Sequence, residues 1–476
     1  MNLSTKVMQH LRKQERIEAK PDSDAQRALF KHWQKRTMFG MMFGYATFYL
    51  VRKNISMALP GMEAELGYTN LELGLLLTGT SLVYGIGKFL NGILADQANP
   101  RWFMVIGLCL SALINIAFGL SGAYWALLVL WLLNGWAQSM GWPPCASLLT
   151  SWYEPQRLAT WWGFWNASHQ IGGALVFIFG GYLVTSLGWR SVFFLPALIA
   201  LFNAIIIAIT LRDRPETMGF SSPHEAVEDS TETMSPPHET LDETESDATD
   251  KPQTEMSPSA QDDVDLSAWA LTQKYILTNP MIWLVSIGNF FVYIVRIGLL
   301  DWAPKFLKDA RHVDLDEAGW LVAALEIAGI LGGLLAGYLA DRAFKGKYSL
   351  VNGLYMVGLV VGLVLLYNPP TITWLSPLVM NALLLSIVGF LVYGPQMLTA
   401  VSAASYAPRH CAAAATGFNG LFGYTGATIS GVGVGYCVDH YGWDGGLLFF
   451  LIAGVLGVGS FAVAHWLDQK LAIQVQ

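Results

Sequence analysis

The sequence predicts an all-α membrane protein of twelve transmembrane helices arranged as two pseudo-symmetric six-helix bundles. Composition, the recurrence of long apolar runs and an internal repeat carry that prediction. Of the 476 residues, 53% are hydrophobic and 13% charged, and the mean hydropathy is +0.41, outside the habit of soluble domains. The apolar runs have about the 20 residues that a helix needs to cross a hydrocarbon core ~30 Å thick. A β-barrel would show short alternating segments instead. The runs fall at 38–60, 71–95, 102–121, 123–147, 161–185 and 191–211, then at 281–303, 319–341, 349–367, 372–400, 412–438 and 446–466. A long polar stretch precedes the first run, which contains Arg52 and Lys53, so it is expected to be a retained span and not a cleaved leader.

The second six runs repeat the first. Arg52 aligns with Arg296 at an offset of 244, Asp96 with Asp341 at 245, and Gly163, Gly172 and Gly188-Trp189 with Gly417, Gly426 and Gly442-Trp443 at 254. A buried arginine, a loop aspartate and a Gly-Trp pair kept in order mark an internal duplication. The expected organisation is an N-terminal tail (1–37), one bundle (38–211), a linker (212–275), a second bundle (276–467) and a short tail (468–476), with a ligand site where the bundles meet. From Glu216 to Asp265 the linker holds 15 acidic residues against the single base Lys251. Such a composition buries too little apolar surface to offset ordering entropy, so a disordered cytoplasmic tether is expected.

Most of the net charge of −7 sits in that tether and says little about the membrane body. With the N-terminus inside, twenty of the 28 lysines and arginines fall in cytoplasmic segments, and only Arg190, Lys305, Lys308 and Arg311 fall outside. That bias predicts both termini in the cytoplasm of a cell whose inner membrane holds the chain. Cys109, Cys145, Cys411 and Cys437 show neither a CxxC spacing nor a cluster, so no disulfide and no metal site is expected. No nucleotide, nucleophile or cofactor motif stands out, which argues against an enzyme. The expected surroundings are membrane lipid, with no nucleic acid partner.

Four cations remain inside predicted spans, where a charge costs at least about 2.5 kcal/mol unless it faces a cavity or a partner: Arg52, Lys53, Lys88 and Arg296. The repeat sets Arg52 and Arg296 across one central cavity. Two facing guanidiniums repel, and a dianion relieves them; guanidinium forks suit phosphate oxygens bidentately. The bland alternative pairs each arginine with a nearby acid, and Glu326 and Asp301 are available to Arg296. Lys88 can reach the cavity or snorkel to an interface. Lys53 points about 100° away from Arg52 on a helix, toward packing or an interhelical contact. His169 breaks the symmetry, because its repeat position is Gly423; a protonatable imidazole there can strengthen anion binding. Tyr45, Tyr49 and Tyr293 share the arginine faces by their spacing of three or four, and Trp142, Trp165, Tyr393 and Tyr424 are further aromatics on other spans. Asp96 with Arg101, and Asp341 with Arg342, occupy equivalent short loops, where an aspartate can cap a neighbouring helix and pair with an arginine in one conformation only. These four read as gating residues, not ligands.

Those two loops, Gly92-Ile-Leu-Ala-Asp96 and Gly337-Tyr-Leu-Ala-Asp341, resemble the loop signature of the major facilitator superfamily. Gly44-Tyr-Ala-Thr-Phe-Tyr-Leu-Val-Arg-Lys-Asn54, Gly141-Trp-Pro-Pro-Cys145, Trp165-Asn-Ala-Ser-His169, Val292-Tyr-Ile-Val-Arg296, Asp301-Trp302, Gly394-Pro-Gln-Met-Leu398 and Gly442-Trp-Asp-Gly-Gly446 resemble its organophosphate:phosphate antiporters. The resemblance covers nearly the whole chain outside the tail and linker. It implies the major facilitator fold and exchange of an organic phosphate, such as a hexose 6-phosphate or glycerol 3-phosphate, for inorganic phosphate. It also implies that Arg52 and Arg296 clamp the phosphoryl group, that His169 contributes to binding, and that Lys88 and Glu326 match the family's cavity lysine and helix-eight glutamate. Leu277–Trp283, Gly394–Leu398 and Ala413–Phe418 look like the branch that senses hexose phosphate, while Asp301–Leu307 and Leu421–Tyr424 look like glycerol-phosphate carriers. The alternative is therefore a membrane sensor of external sugar phosphate that signals to a kinase partner. A proton-coupled drug or sugar carrier is a more distant third.

Overall fold

The computed structural model describes residue 17 and residues 23–154, 158–221, 268–408 and 411–475. The acidic stretch 222–267 and the side chain of Asp96 lie outside the described residues. The first bundle consists of α1 (Asp24–Leu50), α2 (Asn54–Leu66), α3 (Asn70–Gln97), α4 (Pro100–Leu120), α5 (Tyr124–Ser139), α6 (Trp142–Trp152), α7 (Leu158–Leu187) and α8 (Ser191–Thr210). The second consists of α9 (Pro280–Arg311), α10 (Leu315–Tyr338), α11 (Tyr348–Tyr367), α12 (Pro377–Ser405) and α13 (Ala412–Val475). The last is two rods folded at Gly442, whose φ of +65° breaks the helix. With α1–α2 and α5–α6 each forming one interrupted rod, twelve spans result.

Several boundaries differ from the sequence reading. The first span is not continuous: α1 begins within the polar tail, at Asp24, capped by the Ser23 side chain, and stops at Leu50. Residues 51–53 form a turn before α2. Backbone groups freed inside a bilayer need internal partners, and here they have them. The Val51 carbonyl accepts from the side-chain amides of Asn115 at 3.0 Å and Asn134 at 3.1 Å, with Gln138 at 3.5 Å. Asn54 at the start of α2 donates to the Asn115 side chain and the Val192 carbonyl. Buried polar side chains on α4 and α5 thus fix the break that carries Arg52. The fourth span is interrupted at Met140–Gly141, after which Pro143 and Pro144 open α6, where a missing N–H does no harm. Lys305, Lys308 and Arg311, assigned from sequence to an outer loop, are instead the last turns of α9.

The repeat is visible in the contacts. A Cβ at Gly172 would lie 2.4 Å from the Ala46 carbonyl oxygen, and one at Gly426 would lie 2.2 Å from that of Phe290; both members of each pair are related by the sequence offsets. Likewise Gly74 meets the Gly431 carbonyl and Gly319 that of Phe177. The first set packs a span against its own bundle's first helix, and the second set joins the bundles.

All strong junctions between bundles lie at one end of the molecule, the end away from α1's N-terminus. Lys53 pairs with Asp301 at 2.5 Å, and Ser56 donates to the same carboxylate at 3.2 Å. Lys305, buried, pairs with Glu63 across the interface. Asp439 of α13 caps α3 from the opposite bundle: it accepts from the backbone N–H groups of Asn70 at 3.1 Å and Leu71 at 2.7 Å and from the Asn70 side chain at 2.8 Å. Toward the other end, no hydrogen bond or ion pair among the described residues joins the bundles. Among the described residues, polar contacts between the bundles thus close one end and are absent from the other.

Because a carboxylate cap on a helix N-terminus is worth about 0.5–2 kcal/mol, Asp439→Ala is expected to loosen the closed end. Spin labels at the exposed Ala64 and Tyr441 should show a longer-distance population in a dipolar distance measurement, enriched several-fold over the parent protein.

Candidate functional site

Arg52 emerges from the turn between α1 and α2, and Arg296 from the middle of the unbroken α9. The Arg52 guanidinium lies 3.9 Å from the Tyr84 ring centre and 5.5 Å from that of Tyr49. Arg296, 6% exposed, lies 4.7 Å from the Tyr393 ring and 5.9 Å from that of Tyr293. Two chains of ring contacts connect the arginines. One passes from Tyr49 to His169 at 5.5 Å and from His169 to Tyr393 at 6.3 Å. The other passes from Tyr84 to Tyr424 at 5.2 Å and from Tyr424 to Tyr293 at 5.8 Å. Together they close a loop of six rings, drawn from α1, α3, α7, α9, α12 and α13, with one guanidinium at each end. Each bundle supplies three rings.

The bland alternative for Arg296 does not hold as drawn from the sequence. Asp301 is taken by Lys53 and Ser56, so Lys53 makes an interhelical contact and neutralises a carboxylate that Arg296 could have used. Glu326, fully buried, reaches Arg296 only through a hydroxyl: Tyr393 donates to Glu326 Oε2 at 2.6 Å and accepts from Arg296 Nη2 at 3.2 Å. Among the described residues neither Arg52 nor Arg296 forms an ion pair. Arg296 Nε, His169 Nε2 and Glu326 Oε1 are buried without a hydrogen-bond partner, each an uncompensated cost of about 1–3 kcal/mol. The loop therefore presents two cationic forks, unspent polar atoms, aromatic faces and one carboxylate.

Lys88 lies one turn along α3 from Tyr84, away from the closed end, with its ammonium 4.2 Å from the Trp142 ring and 5.4 Å from Tyr424; it touches the loop of rings. Tyr45 stands behind Tyr49, at 5.8 Å, against Trp165 at 4.9 Å, and supports the face without contacting either guanidinium as a stacked ring. Gly423, the repeat partner of His169, has no room for a side chain, since a Cβ there would come 2.8 Å from Asn289 and 3.1 Å from the Tyr293 ring. That close packing is the reason for the asymmetry. The proposed gating residues lie apart from the site: Arg101 donates to the Ala208 carbonyl at 3.4 Å, Asp341 accepts from Tyr348 at 3.5 Å, and Arg342 is exposed.

Tyr84 is the ring that sequence reasoning missed, although its spacing of four from Lys88 puts both on one helical face. Asn115, Asn134 and Gln138 were missed too. Nothing in their spacing announces a carbonyl freed on another helix.

Residues 41–431 match the family described as Major Facilitator Superfamily. The chain belongs to that superfamily. Its relatives include a probable hexose phosphate transport protein of Chlamydia muridarum, 35% identical over 97% of this chain and 96% of that one. A glycerol-3-phosphate transporter of Bacillus subtilis is 33% identical, over 95% and 97%. The membrane sensor protein UhpC of Escherichia coli is 33% identical, over 93% and 94%. The chain is thus a multi-pass membrane transporter by family and fold, and not an enzyme.

Breaking a buried ion pair by removing one partner costs about 3–5 kcal/mol, and removing both costs far less. Lys53→Ala and Asp301→Ala are therefore each expected to lower the thermal midpoint of the purified protein more than the double substitution does. Additive losses would mean the two charges do not depend on each other.

Proposed function

We propose that this superfamily member exchanges an organic phosphate for inorganic phosphate, the phosphoryl group being held between Arg52 and Arg296. The observation that carries the reading is the pair of guanidiniums at opposite ends of one ring loop, neither ion-paired. A phosphate dianion supplies both with bidentate acceptors. Lys88 adds a donor and His169 Nε2 an unpartnered ring nitrogen on one side, and Tyr49, Tyr84, Tyr293, Tyr393 and Tyr424 offer hydroxyls and apolar faces to the ester and its organic part. Glu326 disfavours a second anion and holds Tyr393 in place. The names of the two related transporters differ in the organic part and agree on phosphate, which supports this substrate class.

The positive-inside bias supports a cytoplasmic N-terminus, and with it a cytoplasmic position for the end away from the contacts that join the bundles. In this reading the structure faces inward, and Lys53–Asp301, Lys305–Glu63 and the Asp439 cap are the contacts that part when the halves rock to face outward. Asp96 and Asp341, with Arg101 and Arg342, are the counterparts that engage at the inner end. Exchange follows from the charges: without an anion, two guanidiniums oppose closure, so the empty carrier reorients slowly. A sensing role, favoured by the likeness to UhpC, uses the same site with slow turnover.

Proteoliposomes loaded with labelled inorganic phosphate provide the test. External hexose or glycerol phosphates should drive label out, and vesicles without internal phosphate should take up little. Arg52→Lys, which keeps the charge and loses the fork, should slow exchange by roughly 10–100-fold, the worth of one charge-assisted hydrogen bond. Binding without any exchange would move the reading to the sensor; exchange insensitive to Arg52→Lys would overturn the clamp.

A further inference from the structure

A second group of arginines lies outside the ring loop, at the end of the molecule where α8 ends. Arg36 of α1 donates to the Ile209 carbonyl at 3.2 Å, and Arg212 donates to the same carbonyl at 3.1 Å and to Leu211 at 2.9 Å. Both guanidiniums lie over Trp33, at 4.6 and 4.8 Å from its ring centre. Arg101 reaches the adjoining Ala208 carbonyl and lies 5.0 Å from the Trp102 ring. Capping the end of α8 explains one such residue. It does not explain three cations converging on neutral acceptors. Burial and the neighbouring Arg36 both hold the Arg212 guanidinium below its ordinary value. Asp213, buried nearby, acts on Arg101 and lies 3.7 Å from Arg214.

What lies alongside decides the ligand. The Phe43 carbonyl accepts from Asn203 at 3.0 Å, so α1 and α8 run side by side. Their outer faces carry Phe39, Phe43, Ile205 and Ile209, all more than half exposed, directly along the span from the arginines. A free anion has no use for that apolar wall; an amphiphile fills both parts. We propose that Arg36, Arg212 and Arg101 hold the phosphodiester of an anionic phospholipid whose acyl chain lies along the α1–α8 face.

Native mass spectrometry of the full chain released from nanodiscs of mixed phosphatidylglycerol and phosphatidylcholine tests this. Phosphatidylglycerol should remain bound and phosphatidylcholine should not. Arg36→Gln with Arg212→Gln should lower retention about tenfold or more, on the scale of roughly 1 kcal/mol per interfacial cation, whereas Lys470→Gln, at a remote exposed cation, should leave it unchanged. Should the glutamine pair fail to fold, Arg36→Lys with Arg212→Lys keeps the charge and should retain phosphatidylglycerol at a lower level. Adding inorganic phosphate should not displace the lipid. Equal retention in the glutamine pair, equal binding of both lipids, or displacement by inorganic phosphate would overturn the proposal. A failure of phosphate exchange would not bear on it.

Discussion

Two guanidiniums held inside a membrane bundle without carboxylate partners are the constraint on which the rest of the structure depends. A charge at that depth is tolerated only where a cavity, a partner or a polarizable surface receives it. Here the receiving surface is aromatic, with six rings running between Arg52 and Arg296. Cation–π contact offsets part of the desolvation, about 0.5–2 kcal/mol per contact, and leaves the charge itself unneutralised. The carboxylates that could have cancelled it are held elsewhere: Asp301 by Lys53, and Glu326 at one remove by Tyr393.

The same arrangement couples the site to the halves. Each bundle contributes one guanidinium and three rings, so nothing at the site belongs to one half alone. The Lys53–Asp301 pair begins one residue from Arg52 and ends five residues from Arg296. A change in the separation of the arginines is therefore felt at once by the contacts that seal one end. Further out, Asp439 caps α3 from the other bundle. Its repeat position is Thr185, whose hydroxyl bonds within its own helix, so the closed end is fastened more firmly on one side of the pseudo-symmetry axis than on the other.

Much of this was legible in the sequence because it is written in spacing and charge. The offset of 244 between Arg52 and Arg296 joined two costly residues into one place, and the structure brings their neighbours Tyr49, His169, Tyr293, Tyr393 and Tyr424 together there. Of the glycines that aligned at 254, Gly172 and Gly426 recur as matching close contacts, and Gly188 and Gly442 as matching positive-φ positions. What was not legible depends on breaks and on partners distant in sequence. The turn at residues 51–53 contains neither glycine nor proline; it exists because Asn115, Asn134 and Gln138 receive the Val51 carbonyl. The partner of Asp301 is Lys53, 248 positions away, and only the packed halves reveal it. Tyr84 was within reach of sequence, one turn from Lys88, but aromatic residues are too common in spans for that spacing to single it out.

That the two arginines form one site, and not two neighbouring ones, is tested most directly by equilibrium binding of inorganic phosphate to the purified protein. Arg52→Gln, Arg296→Gln and the double substitution should be compared with the parent. A single clamp predicts that either substitution weakens binding nearly as much as both together, because one fork alone cannot hold the anion across the loop. Losses that add, or binding that survives the double substitution, would contradict it.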